Sequence, residues 1–450
     1  MYFKYHYFNT QKKLFILMSS PKYDFQNKHR VVIVGGGVIG LCVAYYALRA
    51  GKRVILLERE PEEGDNCSVE NAGMVVPSHF VPLAAPGMIA LGLRWMLSRE
   101  SPFAIRLRPS RKLMRWLYLF WRSANKKHVI HNRELLRDLN LKSRELFVEL
   151  AESGSYELVK RGLLMLCKGS HSLEEESILA SDANELGLEV EVCDSKRLSE
   201  IDPDIEMDVE GGVWFKEDCH LDPDLFLKQL RKKILGMGAE IHYQVYADGF
   251  VLENGQAKAL RCINLEGSES SNDSIEADQF VIAGGAWSSS LARDLGLDLP
   301  LLAGKGYSMT VPGPVQLPRV CSILNEARVA VTPMGGSLRF AGTMELGDND
   351  LSINARRVKG ILKSIPKYFP QFKAEHFNGI KRWSGLRPCS PDGLPYIGPA
   401  GPGANGVFIA TGHSMMGLSL GPITGHIMAN ILCNEHNELP LDALFPGRFA

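Results

Sequence analysis

The chain has 450 residues, of which 45% are hydrophobic and 23% charged, and its 51 Lys plus Arg balance 51 Asp plus Glu. That length exceeds what one core usually serves, so two interlocked domains are expected, and the balanced charge offers no global field for nucleic acid, which is not expected as a partner. Nine cysteines, none in a CxxC pair, signal neither a metal site nor a disulfide framework, and a reducing, cytoplasmic setting fits them.

In chain order, MYFKYHYFNTQKKLFILMSS contains only LFILM, shorter than the roughly 7–15 apolar residues of a secretory signal. Residues 1–27 are expected to be a disordered extension, with Met18 as an alternative start. Residues 31–34 (VVIV) read as a buried strand, Gly35 to Gly40 as a tight turn, Leu41 to Ala50 as a helix stopped by Gly51, and RVILL (53–57) as a second strand. Gly35, Gly37 and Gly40 make GxGxxG around Val38 and Ile39. The first glycine permits the turn, the second lets backbone approach a pyrophosphate, and the third allows close helix–strand packing. The helix N-terminus then faces phosphate with free N–H groups. Glu58 and Arg59 close the second strand, where a carboxylate can accept both hydroxyls of a ribose.

Segment 86–165 carries helical periodicity in SRKLMRWLYLFWRSANKK and in a long charged helix from Asn132. GGVWF from Gly211 reads as strand, DPDLFLKQLRKKILGMG as a helix capped by Asp222 with Pro223 at its first position, and AEIHYQV as strand. Residues 269–276 read as a polar loop. DQFVIAGGAWSSSLARDLG is strand, glycine turn and helix, 300–385 is β-rich, and GVFIATGHSMMGLSLGPITGHIMANIL is strand, turn and helix. A second GxGxxG, at Gly401, Gly403 and Gly406, precedes a strand, so it has no helix N-terminus to offer phosphate. No apolar window reaches the roughly 18 residues of a membrane span.

The nucleotide texture thus returns in blocks. The expected fold class is α/β, a Rossmann-like dinucleotide domain (28–85, 211–299, 384–436) interrupted by a mixed β-sheet substrate domain (86–210, 300–383). Glu58 suits NAD or FAD. An NAD dehydrogenase would continue as an uninterrupted doubly wound sheet, whereas this fold breaks off after about two strands.

ENAGMVVP and PLAAPGM (70–88), VIAGGAWSSSLARDLGLDLPLLAGKGYSM (281–309), WSGLRPCSPDGLPYIGP (383–399) and ATGHSMMGLSLGPITG (410–425) together resemble the glycine oxidase/D-amino-acid oxidase flavoprotein family. The resemblance runs from about Arg30 to Leu432 and is strongest to the bacterial D-amino-acid dehydrogenase small-subunit branch. It implies the glutathione-reductase type of FAD domain and non-covalent FAD. Asn71, Ala72 and Gly73 match a segment beside the flavin ring, and Val245 a position whose backbone meets adenine. Ala283 and Gly284 match a turn near the ribityl and phosphates, and Gly412 to Leu418, including His413, Met416 and Gly417, a loop beneath the pyrimidine ring. Cys389 does not match the spacing of relatives that attach FAD covalently.

In that chemistry a hydride leaves the substrate α-carbon for flavin N5, and the protein must fix the substrate by its carboxylate. A guanidinium grips a carboxylate with two parallel bonds, and Arg387 matches the family's carboxylate-binding arginine. Tyr307 matches a tyrosine placed over the substrate, although a tyrosine bonded within the core is the competing reading. Glycine-oxidase-like relatives carry a second basic residue where this chain has Met415 and Met416, which points to small apolar or cyclic substrates such as proline-type amino acids. His79 and His413 flank the flavin segments and could tune the ring, or simply pack.

The segment from Leu91 to Trp121 mixes Trp and Leu with Arg and Lys, as interfacial helices do, and could rest on the inner face of a membrane and serve a quinone or another electron carrier. Ordinary packing of its apolar side explains the same pattern. The expected activity is FAD-dependent dehydrogenation of D-amino acids. The alternatives are an oxygen-using oxidase of glycine, sarcosine or D-amino acids, a flavin-dependent tRNA-modifying domain, and a non-catalytic flavin module.

Overall fold

A computed structural model describes residues 29–449 apart from 65, 97–99, 106–109, 153, 266–271 and 348. The expectations for residues 1–27 lie outside the described residues. The first unit is β1 (Arg30–Val34), α1 (Val38–Arg49) and β2 (Arg53–Leu57), with β1 and β2 parallel and buried. After β3 (Met74–Val75) come α2 (Met88–Met96), β4 (Phe103–Ile105), α3 (Arg111–Ser123), α4 (Lys126–Ala151), β5 (Leu163–Cys167), α5 (Ser170–Glu185), β6 (Val190–Asp194) and α6 (Ser195–Ile201). The middle of the chain supplies β7 (Gly211–Phe215), β8 (Cys219–His220), α7 (Pro223–Gly236), β9 (Glu240–His242), β10 (Val245–Glu253), β11 (Gln256–Asn264), β12 (Asn272–Glu276), β13 (Gln279–Ile282) and α8 (Ser288–Asp294). The rest is β14 (Leu302–Pro312), β15 (Cys321–Leu324), β16 (Val329–Met334), β17 (Ser337–Gly347), α9 (Ala355–Tyr368), β18 (Arg382–Cys389), β19 (Tyr396–Pro399), β20 (Val407–Thr411) and α10 (Gly421–Leu432).

Among the described residues two large sheets dominate. The six-stranded sheet runs β19-β20-β13-β1-β2-β9, parallel except for the β19 edge, and so joins strands from three separated parts of the chain. Its central strands are near-continuous apolar runs because both faces are covered, one by α1, α7 and α10 and the other by β10, β11 and α8. α10 packs on α1 at small residues: a Cβ on Gly425 would stand 2.5 Å from the Cys42 carbonyl oxygen. The nine-stranded mixed sheet runs β18-β14-β17-β16-β15-β5-β7-β6 with β4 on β17. α9 covers one of its faces through Val358, Ile361 and Ile365, which pack with Tyr307, Met309 and Phe340.

The α/β class, with a dinucleotide sheet and a mixed second sheet, is present. Three local details differ from the sequence reading. β7 pairs with β5 and β6 in the nine-stranded sheet, so GGVWF does not belong with the nucleotide strands, and β18 likewise carries the second sheet past residue 384. AEIHYQV is broken at Gln244, whose φ of 56° turns the chain out of β9 and into β10. Residues 272–276, read as loop, form β12 of a three-stranded antiparallel sheet with β10 and β11. A short polar segment pairs at such an edge because β11 supplies the hydrogen bonds, not because its own side chains favour strand.

Candidate active site

The nucleotide end is built at the C-terminal ends of β1 and β2, the usual ligand side of such a sheet. Gly35 adopts φ 111° with its amide on Leu57 O at 2.8 Å, and a Cβ there would lie 2.5 Å from the Ala283 carbonyl oxygen. A Cβ on Gly40 would strike the Gly35 carbonyl, so the start of α1 lies directly on the turn. Gly37 caps α1 without a side-chain bond, while the Val38 amide donates to Ser68 Oγ at 3.0 Å. Ile39 packs against the core of the parallel sheet. Glu58 Oε2 accepts the Gly36 amide at 2.6 Å and Oε1 the Glu60 amide at 2.9 Å, which fixes the carboxylate while leaving lone pairs free. Arg59 lies 4.3 Å over the Trp287 ring, in the turn that follows Ala283 and Gly284. The Val245 amide donates to Glu58 O at 3.0 Å, which ties the start of β10 to the acid.

A cavity of about 670 Å³ lies on the nine-stranded sheet under α2 and α3, closed by the segment from Cys67 to His79 and by Met415 and Met416. Its lining includes Asn71, Ala72, His79, Trp383, Arg387 and Met416. Arg339, which the sequence reading missed, holds the first wall. It is buried and donates to Val69 O at 3.0 Å, Asn71 O at 2.7 Å and Thr310 Oγ1 at 2.9 Å, while facing Glu70 at 3.4 Å. Asn71 Oδ1 accepts the Gly73 amide at 2.9 Å, and Gly73 turns with φ 76°.

Arg387 stands on β18, paired across from Gly304 on β14. Its Nη1 donates to Thr343 O at 2.9 Å, and its guanidinium lies over Gly306, where a Cβ would be 2.5 Å from Cζ. The guanidinium is thus half-buried on the cavity face with donors to spare. Cys67 lines the same wall; burial raises its thiol pKa and Arg387 pulls it back.

The Gly412–Leu418 loop comes to this strand because Ser414 N donates to Pro388 O at 2.9 Å. Gly412 (φ 81°) and Ser414 (φ 51°) form its turn, Met416 N donates to His413 O at 2.8 Å, and Leu418 is anchored in the core. A Cβ on Gly417 would lie 3.8 Å from His413 Cβ, an ordinary contact. His413 is buried with Nε2 on Thr424 Oγ1 at 2.9 Å, Nδ1 unpartnered and its pKa lowered to about 3 by burial. Met415 and Met416 both line the cavity. Cys389 is fully buried with its thiol pushed up to about 11 by burial.

Tyr307 is a correction. Side chains alternate along β14, and Gly306 shares the cavity face with Arg387, so Tyr307 turns to the α9 face. Its ring is 1% exposed, and its hydroxyl donates to Glu345 and accepts the Asn354 amide at 3.3 Å. Tyr307 thus belongs to the strand that lines the cavity, but its ring and hydroxyl pack on the α9 side rather than over the substrate.

Two further features fit the expected cofactor. The α1 N-terminus and Glu58 offer phosphate and ribose partners, and the unpartnered polar atoms His413 Nδ1 and Ser414 Oγ lie in the loop expected beneath the flavin. Among the described residues no cluster of His, Cys, Asp and Glu is arranged to hold a metal, and no helix is long and apolar enough to cross a membrane.

The fold is similar to glycine oxidase from Geobacillus kaustophilus, at 22% identity and a TM-score of 0.73 over 94% of this chain and 100% of that one. It is also similar to L-proline dehydrogenase from P. horikoshii (17%, 0.68, 94% and 98%) and to L-alpha-glycerophosphate oxidase from Mycoplasma pneumoniae, a structure with FAD bound (15%, 0.67, 91% and 95%). The family model for DAO, FAD dependent oxidoreductase, matches residues 30–431. The chain belongs to the DAO family of FAD-dependent oxidoreductases.

Proposed function

We propose that this protein dehydrogenates small D-amino acids, proline or hydroxyproline among them, and passes the electrons to a quinone or another carrier. The observation that carries the reading is the Arg387 guanidinium, which lines the cavity together with Met415 and Met416, while the other lining arginine, Arg328, lies near His79. Arg387 binds the substrate carboxylate, because its two outer nitrogens match a carboxylate as a fork. The methionines take an apolar or cyclic side chain, since an acidic one would find no second cation on the loop. The Asn71–Gly73 segment and the Gly412–Leu418 loop hold the flavin from two sides, the former clamped by Arg339. FAD, when bound, supplies the acceptor for a hydride from the substrate α-carbon. The preference for the D series rests on the resemblance to the D-amino-acid dehydrogenase small-subunit branch, which the landmark blocks from ENAGMVVP to ATGHSMMGLSLGPITG carry as a set.

The acceptor side has its own support. Leu93 on α2 and Met114, Tyr118 and Trp121 on α3 are exposed, with Arg94, Arg111 and Arg122 exposed beside them. An apolar face edged with cations suits the surface of an anionic bilayer. The deciding experiment is anaerobic reduction of the bound flavin by D- and L-enantiomers of proline, hydroxyproline and alanine, and by glycine. Bleaching by D-enantiomers, followed by slow reoxidation in air and fast reoxidation by a soluble quinone, is expected. Bleaching by L-enantiomers alone, or fast return of the yellow flavin in air, would refute the substrate or the acceptor respectively. Acid precipitation should leave the flavin in the supernatant, as the buried Cys389 is not an attachment point.

A further inference from the structure

We propose that His79, Ser78 and Asp218 form a relay that takes the proton from a substrate ammonium group in the cavity, an inference that rests on the amino-acid reading above. An α-hydrogen leaves as hydride only when the neighbouring nitrogen has a free lone pair, so an amino acid bound as its zwitterion must first lose a proton. The other groups lining the cavity are poor acceptors. Glu70 is held by Arg339 at 3.4 Å and by Ser308 Oγ at 3.2 Å, Tyr307 turns its hydroxyl to the opposite face, and burial raises the Cys67 thiol. His79 remains, and it follows directly on a serine bonded to a buried carboxylate.

The hydrogen-bond directions determine what the ring can do. Ser78 Oγ donates its one proton to Asp218 Oδ2 at 2.5 Å, and the Ser78 amide donates to Oδ1 at 3.0 Å. The contact of 3.1 Å between Ser78 Oγ and His79 Nδ1 must then be a donation from Nδ1–H, which leaves Nε2 with its lone pair. In the transfer an ammonium N–H bond breaks and Nε2 gains that proton. The Nδ1 proton moves to Ser78 Oγ as the Ser78 proton moves to Asp218. Ammonium and carboxylate become amine and carboxylic acid, with no change in electron count, and His79 ends in the opposite tautomer. The relay resets when Asp218 returns the proton by the same route to solvent in the open cavity.

Burial raises the Asp218 carboxyl to about 7 against the two Ser78 bonds; Glu217 beside it raises it further and Arg144 on α4 lowers it, while Cys219 and, on β15, Cys321 also face it. His79 is lowered to about 4 by burial and by Arg328. The proton therefore rests on the carboxyl rather than the ring, and the ring serves as conduit.

The test uses the FAD-loaded protein and Ser78→Ala, which cuts the link while keeping both end groups, with Asp218→Asn as a second variant. Nitrogen-15 NMR of the histidines reports the tautomer without turnover. His79 should change from Nε2–H to Nδ1–H as pH rises through about 7, and Ser78→Ala should abolish that change. Anaerobic flavin reduction by an amino acid should fall about 100-fold or more in Ser78→Ala, the lower end for loss of a general base, and lose its inflection near pH 7. Binding of benzoate, a carboxylate without an amine, should be unchanged. A wild-type rate and pH profile in Ser78→Ala, or a His79 tautomer indifferent to that substitution, would overturn the relay alone. Failure of every amino acid to reduce the wild-type flavin would overturn the substrate reading and the relay with it.

Discussion

Alanine at Gly306 places one methyl group on the sheet directly under the Arg387 guanidinium. The new carbon would stand 2.5 Å from Cζ, whereas ordinary carbon contact begins near 3.5 Å, so the guanidinium has to retreat by about 1 Å. The backbone has no reason to move: Gly306 does not use a positive φ, and its pairing with Gly385 is retained. What yields is the far end of a flexible side chain, together with its bond from Nη1 to Thr343 O at 2.9 Å. A substrate anchored by a displaced fork loses either one of two charge-assisted bonds, at about 1.5–3 kcal/mol, or its alignment with the flavin, for which a displacement of about 1 Å is worth up to roughly 100-fold. Flavin content and thermal stability should match wild type while kcat/KM for anaerobic flavin reduction drops about 10- to 100-fold. Stopped-flow reduction against substrate concentration measures it. Wild-type affinity and rate in Gly306→Ala would show that the carboxylate does not dock on Arg387, and the substrate site would have to be sought elsewhere in the cavity.

Arg387→Leu should keep the flavin spectrum and lose about 2–5 kcal/mol of substrate stabilisation, with Arg387→Lys between it and wild type because charge returns without the fork; equal activity of the leucine and wild-type proteins would remove the guanidinium from the account. Glu58→Ala should weaken FAD retention, since it removes the ribose partner and also frees the Gly36 and Glu60 amides, and full occupancy after dialysis would refute that assignment. Burial lowers His79 and His220 to about 4 and His413 to about 3, with Arg328 and Arg161 adding to the first two, so between about 4 and 6.5 the folded protein binds fewer protons than the unfolded chain. Stability from these three groups is present above pH 6.5 and is lost as pH falls toward 4. Asp218, raised to about 7, and Glu176 and Asp202, also raised by burial, act in the opposite direction, while His426, lowered by burial, acts with the three histidines. The unfolding midpoint should fall on acidification through that window, and less steeply in His220→Gln; parallel curves would exclude His220 as a contributor.

Local chemistry made the nucleotide unit readable in advance. A positive φ at Gly35, a close approach at Gly40 and an apolar run on either side are demands that a few adjacent residues state by themselves, and β2 falls on the segment expected for it. The same holds for α7, whose Asp222 accepts the Asp224 and Leu225 amides at 2.9 and 3.2 Å. Tyr307 shows where this stops. Alternation places it opposite Gly306 in any strand, but which face of β14 meets the cavity depends on α9 covering the other one, and α9 begins at Ala355. β12 is a strand because β11 has an open edge, and β7 belongs to the second sheet because β5 and β6 flank it. Arg339 reaches Asn71 across 268 residues, and Ser78 reaches Asp218 across 140. A serine, a histidine and an aspartate at those separations carry no signal in the chain. The βαβ unit was therefore determined by residues in contact with their sequence neighbours, whereas the cavity, its clamp and its buried carboxylate were decided by the packing of the 67–79 segment against distant strands and helices, because each depends on partners whose distance along the chain bears no relation to their distance in space.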